Sequence, residues 1–443
     1  MPQHGRLKKM FVAIFFGRGI MAARQLIAVP ILLSTWGADY YGSWLLLSTI
    51  PIFLSTSNFG IGTTANIQIA TSISNKQDLE ARTIFSYAQI FILGMGIIVA
   101  LSAYGLTYIF ANNSTISNES SAIVVGALTA TAFFHMAAMP LLGWWTGNGK
   151  PATGYQYINV GSIVAFAITI AVPSLAGNAS ALAMSLMIWE IIWLLSFHRA
   201  TSTAFGKVSR PLPLPIQPEI IRKLIKTGIG HQLGTLWQPL LHQGTLLLAG
   251  SLMGPSGAAL WSALKTITRS GNQVLEIICQ SISPEIQIAN GANQYGKIRK
   301  LHARGLFISI AISCLLVLFL FFFGPYLFQL WTSGVFELDP IIFRIMSASI
   351  IPAAIWMISA EIQRSTNNPW KLNIYSFVSL AIAYPFTLFF AQATLLPLAI
   401  ATFVFDLALV MLIIPTTLRL INSSLYDLVF ELAGVVQRRN WWK

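Results

Sequence analysis

The chain has 443 residues, of which 55% are hydrophobic and only 9% are charged, and its mean hydropathy is +0.68. This composition excludes a water-soluble globular protein, because too few polar side chains are present to cover a folded core of that size. The formal net charge of +13 is explained first by membrane topology and contact with anionic lipid, and it does not indicate nucleic-acid binding.

Apolar stretches of roughly 20 residues or more, the length that a bilayer requires, recur along the whole chain. They predict an all-α polytopic membrane protein with about twelve transmembrane helices. The predicted helices cover residues 9–33, 40–71, 84–110, 122–145, 153–174, 179–198, 226–250, 257–288, 303–329, 340–362, 372–391 and 395–420.

The 27 Lys and Arg residues are concentrated in alternate connections between the predicted helices. With the N-terminus placed inside, the predicted outer connections contain the acids Asp39, Glu119, Glu337 and Asp339 but no Lys or Arg. This positive-inside pattern predicts that both termini are cytoplasmic.

One longer cytoplasmic connection, a proline-rich and basic linker at residues 199–225, divides the predicted helices into two six-helix bundles. The predicted N-terminal bundle covers residues 1–198 and the C-terminal bundle residues 226–421. Residues 422–443 predict an amphipathic helix that lies on the inner membrane surface.

The two halves share short sequence similarities in the same order. Gly37 is followed by Trp44 as Gly254 is followed by Trp261, and L-x-A-R-x-x-F occurs at both 79–85 and 301–307. These matches predict two repeats with the same orientation in the membrane. In membrane transporters that are built from such repeats, the substrate site lies between the repeats, near the middle of the bilayer.

Five cations fall within predicted spans, where each costs about 2.5–3.5 kcal/mol near a helix centre. They are therefore expected to face protein or water. Residues 260–285 show the pattern best, because their polar side chains recur at helical spacing along one face. The pattern predicts a water-filled cavity between the halves, cationic at its centre. The intramembrane cations are Arg18, Arg24, Lys265, Arg269 and Arg344.

Polar and acidic residues within the predicted spans complete the candidate site. Three acids could bind a coupling proton or sodium ion, or could only balance the nearby positive charges. The acids are Glu190, Glu276 and Asp406. The polar candidates are Gln25, Asn58, Asn66, His231, Gln238, His242 and Asn272.

Purely structural roles remain open for several of these residues. Arg269 and Glu276 could form a buried pair that holds their helix in place, and Arg18 is near enough to a helix end to extend to the membrane surface. Arg344 follows Asp339 closely and could pair with it at the outer rim. The Gln and His residues near position 238 could simply connect helices.

The sequence does not support catalysis or metal binding. The two cysteines fall in separate predicted helices, and the six histidines show no metal-ligand spacing. The segment 143–151 lacks the glycine spacing of a phosphate-binding loop. Because every predicted outer connection is short, we expect no enzymatic activity. The cysteine and histidine positions give no reason to expect a bound metal, and we expect no cofactor.

Residues 30–70 resemble the second-helix region of bacterial polysaccharide transporters, the O-antigen (Wzx-type) flippases of the MATE-like MOP exporter superfamily. The resemblance is carried by Trp36-Gly37, Tyr41-Gly42, Trp44 and Asn58-Phe59-Gly60. It implies a MATE-like fold in the bacterial cytoplasmic (inner) membrane, with polysaccharide assembly proteins as partners.

The resemblance also implies a function. Such flippases move undecaprenyl-pyrophosphate-linked oligosaccharides from the inner to the outer leaflet. By that analogy Arg18, Arg24, Lys265 and Arg269 would hold the pyrophosphate, and the polar candidates would bind the sugars. Alternating access between the halves would carry the substrate across.

Two related functions are alternatives. The Arg18 and Arg24 pair also resembles lipid II flippases of the same superfamily, although these usually have two additional helices. Cation-coupled MATE multidrug exporters have about twelve helices, but they tend to depend on acidic cavity residues.

The charge pattern makes a direct topology prediction. Reporters fused after Asn113 and Gly334 should report a periplasmic location, and reporters fused after Lys207 and Lys297 a cytoplasmic one, because Lys and Arg are retained inside. Reporter activity and membrane-impermeant labelling would measure this. A reversed location at any of the four positions would contradict the predicted helix arrangement.

Overall fold

The computed structural model describes residues 3–110, 116–175, 177–206, 236–365, 370–385 and 394–437, together with residues 222, 224, 228 and 387. These residues are almost entirely helical and contain no strand. The predicted all-α fold class is thus confirmed. The chain forms two compact units, Met1–Leu247 and Leu248–Lys443.

The N-terminal unit contains eight of the described α-helices. Its helix packing joins α3 to α4, α4 to α7, and α1 to α6. In chain order the helices are α1 (Gln3–Ser55), α2 (Ile61–Ser74), α3 (Asp78–Phe110), α4 (Asn118–Ala137), α5 (Met139–Gly147), α6 (Pro151–Ser174), α7 (Ala179–Phe205) and the single turn α8 (Trp237–Pro239), which continues as a π-helical turn at Leu240–Gly244.

The C-terminal unit consists mainly of α9, which begins at the unit boundary, and the helices that follow it. Its helix α12 packs against α10 and α14. The helices are α9 (Thr245–Gly291), α10 (Tyr295–Trp331), α11 (Pro340–Ala348), α12 (Ile350–Ser365), α13 (Trp370–Ala383), α14 (Leu396–Leu420) and α15 (Leu425–Gln437).

Among the described residues, eight helices are long and apolar enough to cross a membrane, or nine if the bent pair Ala23–Asn58 and Ile61–Ser74 forms one span. Two of the predicted helix boundaries fall inside longer continuous helices. Helix α1 has 53 residues and α9 has 47, whereas a span needs roughly 20. Each of these helices therefore contains parts of two predicted spans, separated by a kink and not by a loop.

Glycine produces the kink in both long helices. Gly37 has φ 74° and ψ 169°, and Gly254 has φ 70° and ψ −169°. Only glycine adopts this backbone conformation at low cost, because a Cβ atom would clash with the adjacent peptide groups. The two glycines matched by sequence thus share one unusual conformation. The tryptophans that follow them, Trp44 and Trp261, are both buried.

A second interruption separates α1 from α2, within the single predicted helix 40–71. The chain makes a short 3-10 turn at Thr56–Asn58, and both Phe59 and Gly60 then have positive φ angles. The resulting bend is 44°. Gly60 lies against Gly228, whose carbonyl oxygen would be 2.5 Å from a Cβ atom at position 60. A side chain is therefore excluded at this turn.

The C-terminal helix α15 (Leu425–Gln437) lies within the segment predicted as an amphipathic tail. Ser424 and Asp427 cap it reciprocally, since the Ser424 N–H donates to Asp427 Oδ2 at 2.9 Å and the Asp427 N–H donates to Ser424 Oγ at 3.1 Å. The Ser424 hydroxyl also donates to Asp427 Oδ2, at 2.8 Å. The hydrogen bonds from the Ser424 N–H and hydroxyl lower the pKa of Asp427 from its ordinary value. Leu428 is buried, whereas Tyr426 and Phe430 are exposed. Its location on the inner membrane surface remains a prediction.

Replacing Gly37 by alanine should destabilise the protein by about 1–3 kcal/mol, because the substitution forces a non-glycine residue into this backbone conformation. No atom lies within 4 Å of the added Cβ, so the effect would come from the backbone alone. Denaturation in mixed micelles, followed by tryptophan fluorescence, would measure the change.

Gly94→Ala is the matched control. Gly94 lies inside α3 and also has open space around the added Cβ, so alanine should be neutral or stabilise the helix by up to about 1 kcal/mol. Equal effects of the two substitutions would contradict the role assigned to the Gly37 backbone.

Candidate functional site

The N-terminal unit contains a cavity of about 510 Å³ between α1, α4, α6 and α7. It includes two residues of the predicted site, Arg24 and Glu190. Aromatic rings, hydroxyl groups and small apolar side chains form most of its wall. The lining residues are Arg24, Trp44, Leu45, Ser48, Pro51, Ile52, Ser55, Leu128, Thr131, Ala132, His135, Met136, Gly161, Ser162, Ala165, Leu186, Glu190 and Trp193.

Helices α6 and α7 approach closely where they border the cavity. A Cβ atom at Gly161 would lie 2.5 Å from Trp193 Nε1, so the absence of a side chain at Gly161 makes room for the indole ring. Trp189 Nε1 donates to the Gly161 carbonyl at 3.0 Å, and Trp193 Nε1 donates to the Tyr157 carbonyl at 2.9 Å. These bonds fix two large rings of α7 against α6.

The acidic group of the cavity is paired with a histidine. His135 Nδ1 lies 2.8 Å from Glu190 Oε1, and its ring stacks on Trp193 with a centroid separation of 5.6 Å. Glu190 is only 6% exposed, and an unpaired carboxylate at such a position would be strongly unfavourable. The contact with His135 therefore offsets part of the energetic cost of burying Glu190, and Trp193 holds the imidazole in place.

Arg24 supplies the positive charge of the cavity wall. It is exposed and interacts electrostatically with Glu190. Among the described residues, no side chain or backbone group forms a hydrogen bond or an ion pair with its guanidinium group. A guanidinium group carries five N–H donors in a planar arrangement that matches a carboxylate or phosphate. Arg24 can thus hold an anion in this cavity.

The remaining wall suits a sugar. Trp44 and Trp193 offer aromatic faces, and Ser48, Thr131 and Ser162 offer hydroxyl groups. Aromatic faces pack against apolar ring surfaces, while hydroxyl groups exchange hydrogen bonds with other hydroxyls. The cavity combines a cation with groups that can bind a neutral polar molecule.

Other predicted polar residues of the N-terminal unit lie outside this wall. Asn58 is buried, donates to the Ser55 carbonyl at 3.0 Å and contacts Met136 Sδ at 2.6 Å. The backbone of Asn66 packs against Gly143. Three further candidates are partly buried or exposed, namely Gln25, Gln238 and His242. The Arg18 side chain and residue His231 lie outside the described residues.

The predicted polar face in the C-terminal unit lies on one continuous stretch of α9, as its spacing indicates. Lys265 lies over the Trp261 ring at 6.0 Å, an arrangement that stabilises a cation. Asn272 is partly buried and Glu276 is exposed. The Arg269 side chain lies outside the described part of the chain, so its predicted roles stay predictions.

Two other charged residues of this unit have local partners. Asp406 is buried and accepts a hydrogen bond from Trp356 Nε1 at 2.9 Å. Arg344 lies over the Phe321 ring at 4.5 Å. Asp339 accepts instead from the Ile341 N–H and caps α11, and the structure, which describes both residues, shows no ion pair between Asp339 and Arg344.

His135 is the cavity residue that sequence reasoning missed. It lies 55 positions before Glu190, and no spacing rule connects residues on different helices. The available signal was that both residues fall within predicted spans, where ionisable groups usually have partners. Within the described residues, no group of three or more His, Cys, Asp or Glu side chains could hold a metal ion.

No protein-family profile and no curated protein sequence matches the chain. Solved structures do match it. An inward-facing multidrug resistance transporter of the MATE family, in the MOP superfamily, is 15% identical with a TM-score of 0.73, covering 90% of this chain and 96% of that one. An outward-facing MATE transporter is also 15% identical, with a TM-score of 0.66 and coverages of 94% and 95%.

A third similar structure is a MOP superfamily transporter from Pyrococcus furiosus, described as having a binding pocket of reversed polarity that suggests a different function. It is 15% identical with a TM-score of 0.64, and the match covers 98% of this chain and 96% of that chain. At this identity the similarity shows the fold, which is MATE-like, and does not show the substrate.

The His135 and Glu190 contact should be visible in a double-mutant cycle. His135→Ala leaves the buried carboxylate without its hydrogen-bond partner, whereas Glu190→Gln removes the charge that needs one. The two changes should therefore couple by about 1–3 kcal/mol in the free energy of unfolding. Denaturation of the four proteins in mixed micelles would measure it.

His198→Ala combined with Glu190→Gln provides the control cycle. His198 lies two helical turns from Glu190 on α7, so these changes should add within about 0.5 kcal/mol. If the effects of His135→Ala and Glu190→Gln on the free energy of unfolding were also additive, that result would contradict the assigned pairing.

Proposed function

We propose that the protein is a flippase that moves an undecaprenyl-pyrophosphate-linked oligosaccharide from the inner to the outer leaflet of a bacterial cytoplasmic membrane. The observation that carries the proposal is the exposed Arg24 in a cavity whose acid, Glu190, is already bonded to His135. The cavity thus keeps a cation available for an anionic head group, while its own carboxylate already has a hydrogen-bond partner.

The composition of the cavity wall supports a glycosylated anion over a simple one. Trp44 and Trp193 provide surfaces for sugar rings, and the hydroxyl groups of Ser48, Thr131 and Ser162 can bond to sugar hydroxyls. Arg24 would hold the pyrophosphate through paired hydrogen bonds. Arg18, Lys265 and Arg269 are proposed to contribute further positive charge along the path.

The direction of transport is supported by the membrane potential. Each negative charge that moves outward across a potential negative inside gains about 2.3 kcal/mol per 100 mV. Alternating access is proposed because the similar MATE folds include both inward-facing and outward-facing states. Coupling to a proton or sodium ion would involve the intramembrane acids, of which Glu190 lines the same cavity as Arg24.

A multidrug exporter is the second candidate, and Glu190 is the observation that favours it. A carboxylate in the same cavity could attract a cationic drug, and similar folds belong to multidrug transporters. The pairing of Glu190 with His135 and the presence of Arg24 favour an anionic substrate instead. Lipid II is a third candidate, because it presents the same pyrophosphate and sugar chemistry.

Arg24→Ala should reduce flipping of a pyrophosphate-linked oligosaccharide by roughly tenfold to a hundredfold, since a hydrogen bond to a charged group contributes about 1.5–3 kcal/mol. Arg24→Lys should retain part of the rate, because it keeps the charge and loses the planar pair of donors. The assay would reconstitute the protein in vesicles and measure how much oligosaccharide becomes accessible to an impermeant lectin. Mass spectrometry should show an unchanged substrate mass.

Arg344→Ala is the matched control, because Arg344 is another intramembrane arginine that lies over Phe321 and not in the cavity. The Arg344→Ala variant should flip the lipid-linked oligosaccharide at close to the rate of the unmodified protein. Export of a cationic dye by the unmodified protein, with no movement of the lipid-linked oligosaccharide, would overturn the proposal in favour of drug export. A change in substrate mass would indicate an enzyme.

A further inference from the structure

A small pocket of about 170 Å³ lies in the C-terminal unit, at the end that the charge pattern places in the cytoplasm. Its lining residues are Gln363, Lys371, Thr416, Arg419 and Leu420. They come from the last turn of α12, the first turn of α13 and the last turns of α14. Two cations and no acid thus line one pocket.

The two cations of the pocket differ in how their own helices accommodate them. Arg419 lies near the C-terminus of α14, where a cation is favourable, but Lys371 lies in the first turn of α13, where the helix dipole disfavours positive charge. No acidic side chain of the described residues lies within ion-pair distance of either cation. An anion in the pocket would neutralise both.

The acid nearest to Lys371 in the sequence, Glu361, already has other partners. Glu361 Oε2 accepts a hydrogen bond from Arg364 at 3.1 Å, and Glu361 Oε1 accepts one from Ser365 Oγ at 3.2 Å. Glu361 does not line the pocket. It therefore balances Arg364 and leaves the charges of Lys371 and Arg419 for another partner.

The polar wall of the pocket is fixed by buried hydrogen bonds. Gln363 is only 2% exposed, and its Nε2 donates to Thr416 Oγ1 at 3.0 Å and to Thr417 Oγ1 at 2.9 Å. Thr417 Oγ1 in turn donates to the Ser359 carbonyl at 3.1 Å. These bonds connect α12 to α14, so the pocket is formed before any ligand enters.

Size and surroundings define the ligand class. A water molecule occupies roughly 30 Å³ in the liquid, so a pocket of about 170 Å³ has room for a small tetrahedral oxyanion. Trp370, which precedes Lys371, is 61% exposed, and tryptophan is enriched at the level of lipid head groups. A phosphate group fits this position in size, charge and depth.

We propose that Lys371 and Arg419 bind one phosphate group in this pocket, either the phosphodiester of an anionic membrane lipid or inorganic phosphate. Arg419 contributes a planar pair of donors and Lys371 a point charge. The site is separate from the Arg24 cavity, which belongs to the N-terminal unit, and its occupancy does not depend on the transported substrate.

The test uses the purified full-length protein and the double variant Lys371→Gln with Arg419→Gln. The control is Lys297→Gln with Lys300→Gln, which removes the same charge from exposed positions outside the pocket. One arm titrates inorganic phosphate against thermal unfolding in a neutral detergent. The other arm counts phosphatidylglycerol molecules retained in native mass spectrometry after extraction from vesicles of phosphatidylglycerol and phosphatidylcholine.

The pocket variant should bind inorganic phosphate, phosphatidylglycerol or both at least tenfold more weakly than the control variant does. Loss in the phosphatidylglycerol arm alone identifies a lipid head group, and loss in the phosphate arm identifies a site open to the free ion. The charge-preserving variant Lys371→Arg should retain binding and shows that folding is intact. Equal binding by the pocket variant and the control in both arms would overturn the proposal.

Discussion

The energetic cost of placing ions in a bilayer constrains the rest of this structure. A charged side chain near the centre of a span costs about 2.5–3.5 kcal/mol unless it finds a partner or water. Three of the described intramembrane charges meet this cost through a partner: Glu190 bonds to His135, Asp406 accepts from Trp356, and Lys265 lies over Trp261. Aromatic residues take part in each case, because Trp193 also stacks on His135. The abundance of Trp in this chain thus has a specific role beside general hydrophobicity.

These partners restrict which helices can be neighbours. The bond between His135 and Glu190 requires α4 and α7 to pack, and the bond between Trp356 and Asp406 requires α12 and α14 to pack, as both pairs do. In a membrane the hydrophobic effect provides little force between apolar helices, so small residues and interhelical hydrogen bonds determine the packing. Gly161 illustrates the first contribution, since it admits the Trp193 ring. The polar residues of the cavity therefore stabilise the helix arrangement as well as forming a site.

The fold class could be predicted from the sequence because hydropathy depends on local composition alone. The repeat could be predicted in part, since Gly37 and Gly254 are followed by tryptophan at the same distance and share a backbone conformation. The continuity of α1 and α9 could not, because a glycine and a short polar stretch predict a turn as readily as a kink. The partner of Glu190 could not be predicted either, because the two residues lie on different helices. Proximity in sequence offered Asp339 as one possible partner for Arg344, but Asp339 caps a helix and the guanidinium group lies over Phe321.

Substrate charge in such a fold depends on a few side chains and not on the helices that carry them. A carboxylate attracts a cation only if its charge is not already compensated within the protein. In this cavity Glu190 is 6% exposed and bonded to His135, whereas Arg24 is exposed. An entering molecule can therefore contact the charged group of Arg24 more readily than that of Glu190. Because Glu190 also interacts electrostatically with Arg24, it limits the attraction for an anion. For the proposed flippase that limit favours release, since a substrate held too tightly would not leave on the other side.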